Sequence, residues 1–119
     1  MRHRRAKFTL SRTPAERRAL ARKLGIAFIT HGKIETTPAR AQFVRQFVEP
    51  LVTTAKANTL TSRRRLIAAL GNRQAAALLL KRADAYRSRP GGYTRMTRLP
   101  THRSGDRAPQ VLLEFVSIS

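Results

Sequence analysis

The chain has 119 residues, enough for one domain with a substantial core, and no cysteine, which excludes disulfides and thiolate metal sites. Its 25 Lys+Arg against 6 Asp+Glu give a net charge of +19, mostly arginine and spread along the whole length, so the protein repels itself unless a polyanion neutralises it. Nucleic acid is the obvious polyanion; a hydrophobic content of 41% separates the chain from a disordered basic tail, and no apolar run is long enough to span a membrane.

Residues 1–12 form a basic N-terminal arm with Arg2, His3, Arg4, Arg5, Lys7 and Arg12 and no acid. It carries little apolar periodicity and is expected to order only on a ligand, over a reach of about 40 Å if extended. An Arg-rich transit peptide is the alternative reading of this stretch. The domain proper, 13–119, opens on Thr13-Pro14-Ala15-Glu16, a cap, a first-turn proline and an acid able to close a capping box. The first helix is expected to run to about Thr30, with Leu20, Leu24, Ala27, Phe28 and His31 as its buried stripe and Gly32 as its stop. Arg17, Arg18, Arg22 and Lys23 fall on its other faces, and Gly25 in mid-helix points to close packing by another element.

Lys33–Thr36 reads as a short strand. Thr37-Pro38 repeats the cap-plus-proline start, and Ala41, Val44, Phe47, Val48, Leu51, Val52 and Ala55 give the second helix its apolar side. Pro50 lies inside that pattern and is expected to kink the helix rather than split it. A third helix is predicted over Ser62–Leu70. Its first turn would then hold Arg63-Arg64-Arg65, against the helix dipole, an arrangement that a bound anion would relieve. After the Gly71 stop and Asn72 cap comes a fourth helix to about Tyr86, with Ala76, Leu79, Leu80 and Ala83 inward.

Arg89-Pro90-Gly91-Gly92-Tyr93-Thr94-Arg95 follows. Proline ends the helix, the glycine pair permits a sharp turn with positive φ at one or both, and Tyr93–Leu99 has strand-forming residues. The same stretch could let a phosphate chain approach the bare backbone between Arg89, Arg95 and Arg98. The Tyr93 ring fits either the edge of a core or a stacked base. A last strand, Val111–Ile118, is apolar on both faces except at Glu114 and is therefore expected to be central. The connection between these strands, with His102 and Arg103, is long for a hairpin. The fold class is α+β: a small three-stranded sheet packed with about four helices.

No catalytic constellation is present. The histidines His3, His31 and His102 lack metal-ligand spacing, the six acids are scattered, and no phosphate-binding Gly-rich motif with lysine occurs. No enzyme activity, cofactor, metal or small-molecule substrate is therefore expected; a nuclease built from basic residues and one carboxylate is the weakest reading.

Several blocks, in order, are more specific: Met1-Arg2-His3-Arg4, Glu35-Thr36-Thr37 with Ala39-Arg40-Ala41, Val48-Glu49-Pro50-Leu51-Val52-Thr53, Arg89-Pro90-Gly91-Gly92-Tyr93-Thr94-Arg95, Gly105-Asp106-Arg107-Ala108-Pro109 and Leu113-Glu114-Phe115-Val116. Together they resemble the bacterial large-subunit ribosomal protein family numbered seventeen, over essentially the whole chain. The departures are Glu35, where the family often has a basic residue, and the alanine-rich 62–85 segment. The resemblance implies a non-catalytic constituent of the large subunit that binds large-subunit rRNA near the peptide exit tunnel rim, among neighbouring ribosomal proteins. The place implied is a ribosome, cytoplasmic or organellar, with no membrane partner. The RNA-binding set expected is Arg2, His3, Arg4, Arg5, Lys7, Arg12, Arg17, Arg18, Arg63, Arg64, Arg89, Gly91, Gly92, Arg95, Arg98 and Arg103. A DNA-compacting, nucleoid-type protein is the alternative, because phosphate attraction is common to both.

Overall fold

The structure is a computed structural model and describes residues 13–102, 105 and 107–117. Its elements are α1 (Pro14–His31), β1 (Lys33–Thr36), α2 (Pro38–Lys56), α3 (Leu60–Leu70), α4 (Arg73–Asp84), β2 (Thr94–His102) and β3 (Pro109–Phe115). The three strands form an antiparallel sheet in the order β1-β3-β2. The strand with apolar residues on both faces is thus the central one, as its sequence requires. With four helices around it, the domain is α+β.

Local chemistry sets most of the boundaries. At the start of α1 the Glu16 N–H donates to Thr13 Oγ1 (3.2 Å) while the Thr13 N–H donates to Glu16 Oε1 (2.9 Å), satisfying two N-terminal donors at once. Gly32, at φ 81°, ends the helix by donating to Phe28 O. Thr37 takes an extended cap conformation before Pro38, but its side chain makes no capping bond. α2 continues unbroken through Pro50, with the Thr54 hydroxyl donating to the Pro50 carbonyl (3.2 Å).

Three expectations are corrected. α3 begins at Leu60, not Ser62: Thr59 is the cap, and Ser62 at the third helical position closes a capping box with it. Arg63-Arg64-Arg65 therefore follow the first turn, and the clash with the helix dipole that would have called for an anion is not there. The buried stripe of α1 is Ala21, Gly25, Phe28 and Ile29; His31 is exposed and Leu20 only half-buried, because the helix packs on a face rotated from the expected one. α4 ends at Asp84, and Tyr86 packs from the turn beyond it.

The core lies between the helices and one face of the sheet. Phe28, Ile29, Val44, Val48, Val52, Leu66, Leu79 and Leu113 are fully buried. An aromatic chain crosses it: Phe28 stacks on Phe115 (4.4 Å between centroids), Phe115 lies 6.4 Å from Tyr86, and Tyr86 lies 5.4 Å from Tyr93. These contacts join α1, β3, the end of α4 and the start of β2. A Cβ on Gly25 would sit 2.9 Å from the Phe47 ring, which accounts for a glycine in mid-helix: the Phe47 side chain of α2 packs directly on the backbone of α1 there.

Candidate nucleic-acid interface

The arginines and lysines fall into two groups, and the division defines the site. The first group is built into the fold. Arg22 of α1 donates from Nε to Ala69 O and from Nη2 to Ala68 O (3.1 Å each), and so satisfies carbonyls at the C-terminus of α3. Arg82 of α4 does the same for α1, donating from Nε to Ile29 O (2.8 Å), while its guanidinium lies 5.1 Å from the centroid of the Phe115 ring. A cation at a helix C-terminus also meets the negative end of the dipole. Sequence spacing gives no hint of either contact, since the partners are 46 to 53 residues away.

A second set of fixed contacts holds the Arg89–Thr94 turn. Arg45, Glu49, Thr53 and Lys56 recur along one face of α2. Glu49 Oε2 accepts from the Thr94 N–H (3.1 Å) and the Thr94 hydroxyl (2.7 Å), and lies 3.7 Å from Arg45 Nε. Arg45 Nη2 donates to Thr94 O (3.4 Å). Thr53 Oγ1 is 3.1 Å from the Tyr93 hydroxyl. The Lys56 ammonium donates to Arg89 O and lies 5.0 Å from the centroid of the Tyr93 ring. Burial pushes the Tyr93 hydroxyl up, but its bonds with Lys56 and Thr53 outweigh that and bring it below the usual tyrosine value. Burial raises the Tyr86 hydroxyl, which donates to Val116 O, against the nearby charges of Arg82 and Arg89.

Gly92 takes φ +64°, so one of the two glycines needs a conformation that a side chain resists. Tyr93 is 1% exposed and its ring belongs to the core, not to a stacking platform. Around Gly91 and Gly92 the space is open: a Cβ on either would meet nothing within 4 Å. The turn is therefore a bare stretch of backbone, fixed from below by α2 and open above.

The second group faces outward. Arg18, Arg63, Arg64 and Arg98 of the expected set are exposed, with no side-chain ion pair or hydrogen bond among the described residues. Arg65, Arg73 and Lys81 share that state and fall outside the expected set. Arg17 is half-buried on α1. Arg89 is exposed and donates from Nε to Gly91 O (3.3 Å). Arg95 is paired: its Nε donates to Glu114 Oε2 across the strands at 3.1 Å, with the side chain 62% exposed. Arg95 and Arg98 lie an odd number of positions apart on β2 and so leave opposite faces of the sheet. The structure brings Arg89, Gly91, Gly92 and Arg95 into one segment. Arg2, His3, Arg4, Arg5, Lys7, Arg12 and Arg103 lie outside the described residues.

Among the described residues no group of His, Cys, Asp or Glu side chains could hold a metal ion, and no helix is long and apolar enough to cross a membrane. What the exposed guanidiniums can do is bind phosphate oxygens in forked geometry.

Residues 20–116 match the family described as Ribosomal protein L17. The chain is 45% identical to the large ribosomal subunit protein bL17 of Lawsonia intracellularis, over 97% of this chain and 92% of that protein. It is 47% identical to bL17 of Persephonella marina, over 98% and 95% of the two chains, and 41% identical to bL17 of Hydrogenobaculum sp., over 98% and 99%. The DNA-compacting alternative finds no support among these relatives.

Proposed function

This chain belongs to the ribosomal protein L17 family of the large subunit, a structural protein and not an enzyme, and on that premise we propose that it binds and stabilises large-subunit rRNA in the cytoplasmic ribosome, near the rim of the peptide exit tunnel. The observation that carries the reading is the division of the basic residues. Arg22, Arg45, Arg82 and Lys56 hold the fold together, whereas Arg18, Arg63, Arg64, Arg65, Arg73 and Arg98 are exposed and uncommitted among the described residues.

On this reading the outward arginines meet phosphates, as Arg2, His3, Arg4, Arg5, Lys7 and Arg12 of the N-terminal segment, Arg17, and Arg103 do beyond them. Arg89 flanks the bare Gly91-Gly92 backbone where an RNA strand passes closest, and Arg95, paired with Glu114 across the strands, is left out of that contact. Recognition rests on the shape and backbone of folded RNA, because the deep groove of A-form helices hides base edges from side chains. The exit tunnel position follows from the family resemblance of the sequence blocks.

The test is co-sedimentation of the protein with large subunits at moderate salt, beside its affinity for large-subunit rRNA and for duplex DNA of equal length. Both affinities should fall steeply with salt, with rRNA preferred at near-physiological ionic strength. Equal affinities would return the reading to non-specific polyanion binding.

A further inference from the structure

The two faces of the sheet differ in charge as well as in burial. Strand register puts Ile34, Met96 and Leu113 in one row facing the helices. On the opposite face it aligns Lys33, Glu114 and Arg95 in one row across the three strands, and Glu35, Leu112 and Thr97 in the next. Lys33, Glu35, Arg95 and Thr97 are exposed; Leu112 and Glu114 are half-buried.

The four charges on this face cancel, so the whole net charge of +19 lies elsewhere on the chain. Two of the chain's six acids stand within these two rows. Glu114 is engaged by Arg95, whereas the exposed Glu35 carboxylate has no partner among the described residues. Laid on a phosphate backbone, this face would set Glu35 against like charge, and phosphates would compete with Glu114 for Arg95. None of the six side chains is aromatic, so the face offers no platform on which an unpaired base could stack. What it offers is an aliphatic side chain on the central strand, Leu112, ringed by charges of both signs and a hydroxyl. That is the anatomy of a small protein-protein contact, an apolar centre inside a polar rim.

Resting on the rRNA reading above, we propose that this outer sheet face turns away from the RNA and docks a second, basic protein of the same ribosomal subunit. A Lys or Arg of that neighbour meets Glu35, and an apolar side chain covers Leu112. The neighbour is basic for the same reason that this chain is: proteins sharing one RNA particle need positive charge to sit on it. A carboxylate without an internal partner is the complement that such a neighbour needs.

The chain has no cysteine, so a single introduced thiol reports from one place. Thr97→Cys on the β2 side of the face, next to Leu112, and separately Arg64→Cys on α3, are labelled with a benzophenone maleimide, assembled into large subunits and irradiated. The Thr97 probe should form an adduct with protein and the Arg64 probe an adduct with rRNA. An rRNA adduct from the Thr97 position, or no macromolecular adduct there, overturns the proposal. Adding Glu35→Lys to the Thr97→Cys chain should lower the protein adduct about tenfold, the effect of ~1.4 kcal/mol, while co-sedimentation persists. An unchanged yield removes Glu35 from the contact and overturns its assigned part. Failure of the rRNA reading shows separately, as loss of co-sedimentation of the unlabelled protein and no rRNA adduct from the Arg64 position.

Discussion

The turn at Arg89–Thr94 and the arginine run at Arg63–Arg65 carry the same kind of charge in opposite circumstances. The turn is pinned from α2 by Arg45, Glu49, Thr53 and Lys56, each with a defined atom to hold. The run stands on an exposed helix face, and its three guanidiniums meet no side chain or carbonyl among the described residues. In a chain of +19 the total charge says only that a polyanion is wanted. Which cations are already committed says where the polyanion can lie.

Six substitutions break or sharpen that contrast. The largest effect is expected from Glu49→Leu, which strips the Thr94 N–H and hydroxyl of their acceptor at a residue only 2% exposed. Leaving these donors unsatisfied should cost about 2–3 kcal/mol in chemical denaturation of the free protein. A loss below about 0.5 kcal/mol, the range of ordinary surface changes, would mean that the turn is held by something else. Next comes Arg82→Met, which keeps an unbranched apolar side chain but removes both the donor to Ile29 O and the guanidinium over Phe115. It should lower stability by about 1–2 kcal/mol and leave the salt dependence of RNA binding intact. Tyr93→Phe removes a hydroxyl that meets Thr53 while keeping the buried ring, and should lower stability by about 1 kcal/mol. The smallest stability effect belongs to Arg63→Ala, Arg64→Ala and Arg65→Ala, each within about 0.5 kcal/mol. Here the change should appear in RNA binding, whose logarithmic salt slope becomes shallower by about 0.7 for each single-strand phosphate that an arginine no longer neutralises. If the three arginine variants unfold the free domain instead, the contrast between the two regions collapses.

The parts of this fold that local chemistry writes are legible in the sequence. Thr13-Pro14-Ala15-Glu16 starts a helix, Gly32 and Gly71 stop two, and the near-unbroken apolar run of Val111–Phe115 declares the central strand. Thr59-Leu60-Thr61-Ser62 is ambiguous for a physical reason: three of its four residues can cap a helix, and the choice falls to Thr59 because Ser62 can close the box from three positions on. The inward face of α1 differs from its apparent stripe by a partial rotation. Leu20 and His31 share the helical spacing of the true inward residues, and only packing against α2 selects between the faces. Of the site, the bare Gly-Gly turn and the exposure of Arg63 and Arg64 are legible. The commitments of Arg22 and Arg82 are not, because a bond to a distant carbonyl leaves no mark on local spacing.

The strand order carries a consequence for how the chain is made. β1 and β2 do not pair with each other; among the described residues each pairs with β3, the third strand in sequence. While the chain is being synthesised from its N-terminus, the helices can gather around Val44, Val48 and Leu79, yet both earlier strands wait as unpaired edges until β3 arrives between them. Closing β1 onto β3 spans most of the domain, so the sheet is a late and all-or-none event. A chain cut before Pro109 would lose not one strand but the whole sheet, and with it the seat for the Phe28 and Tyr86 rings.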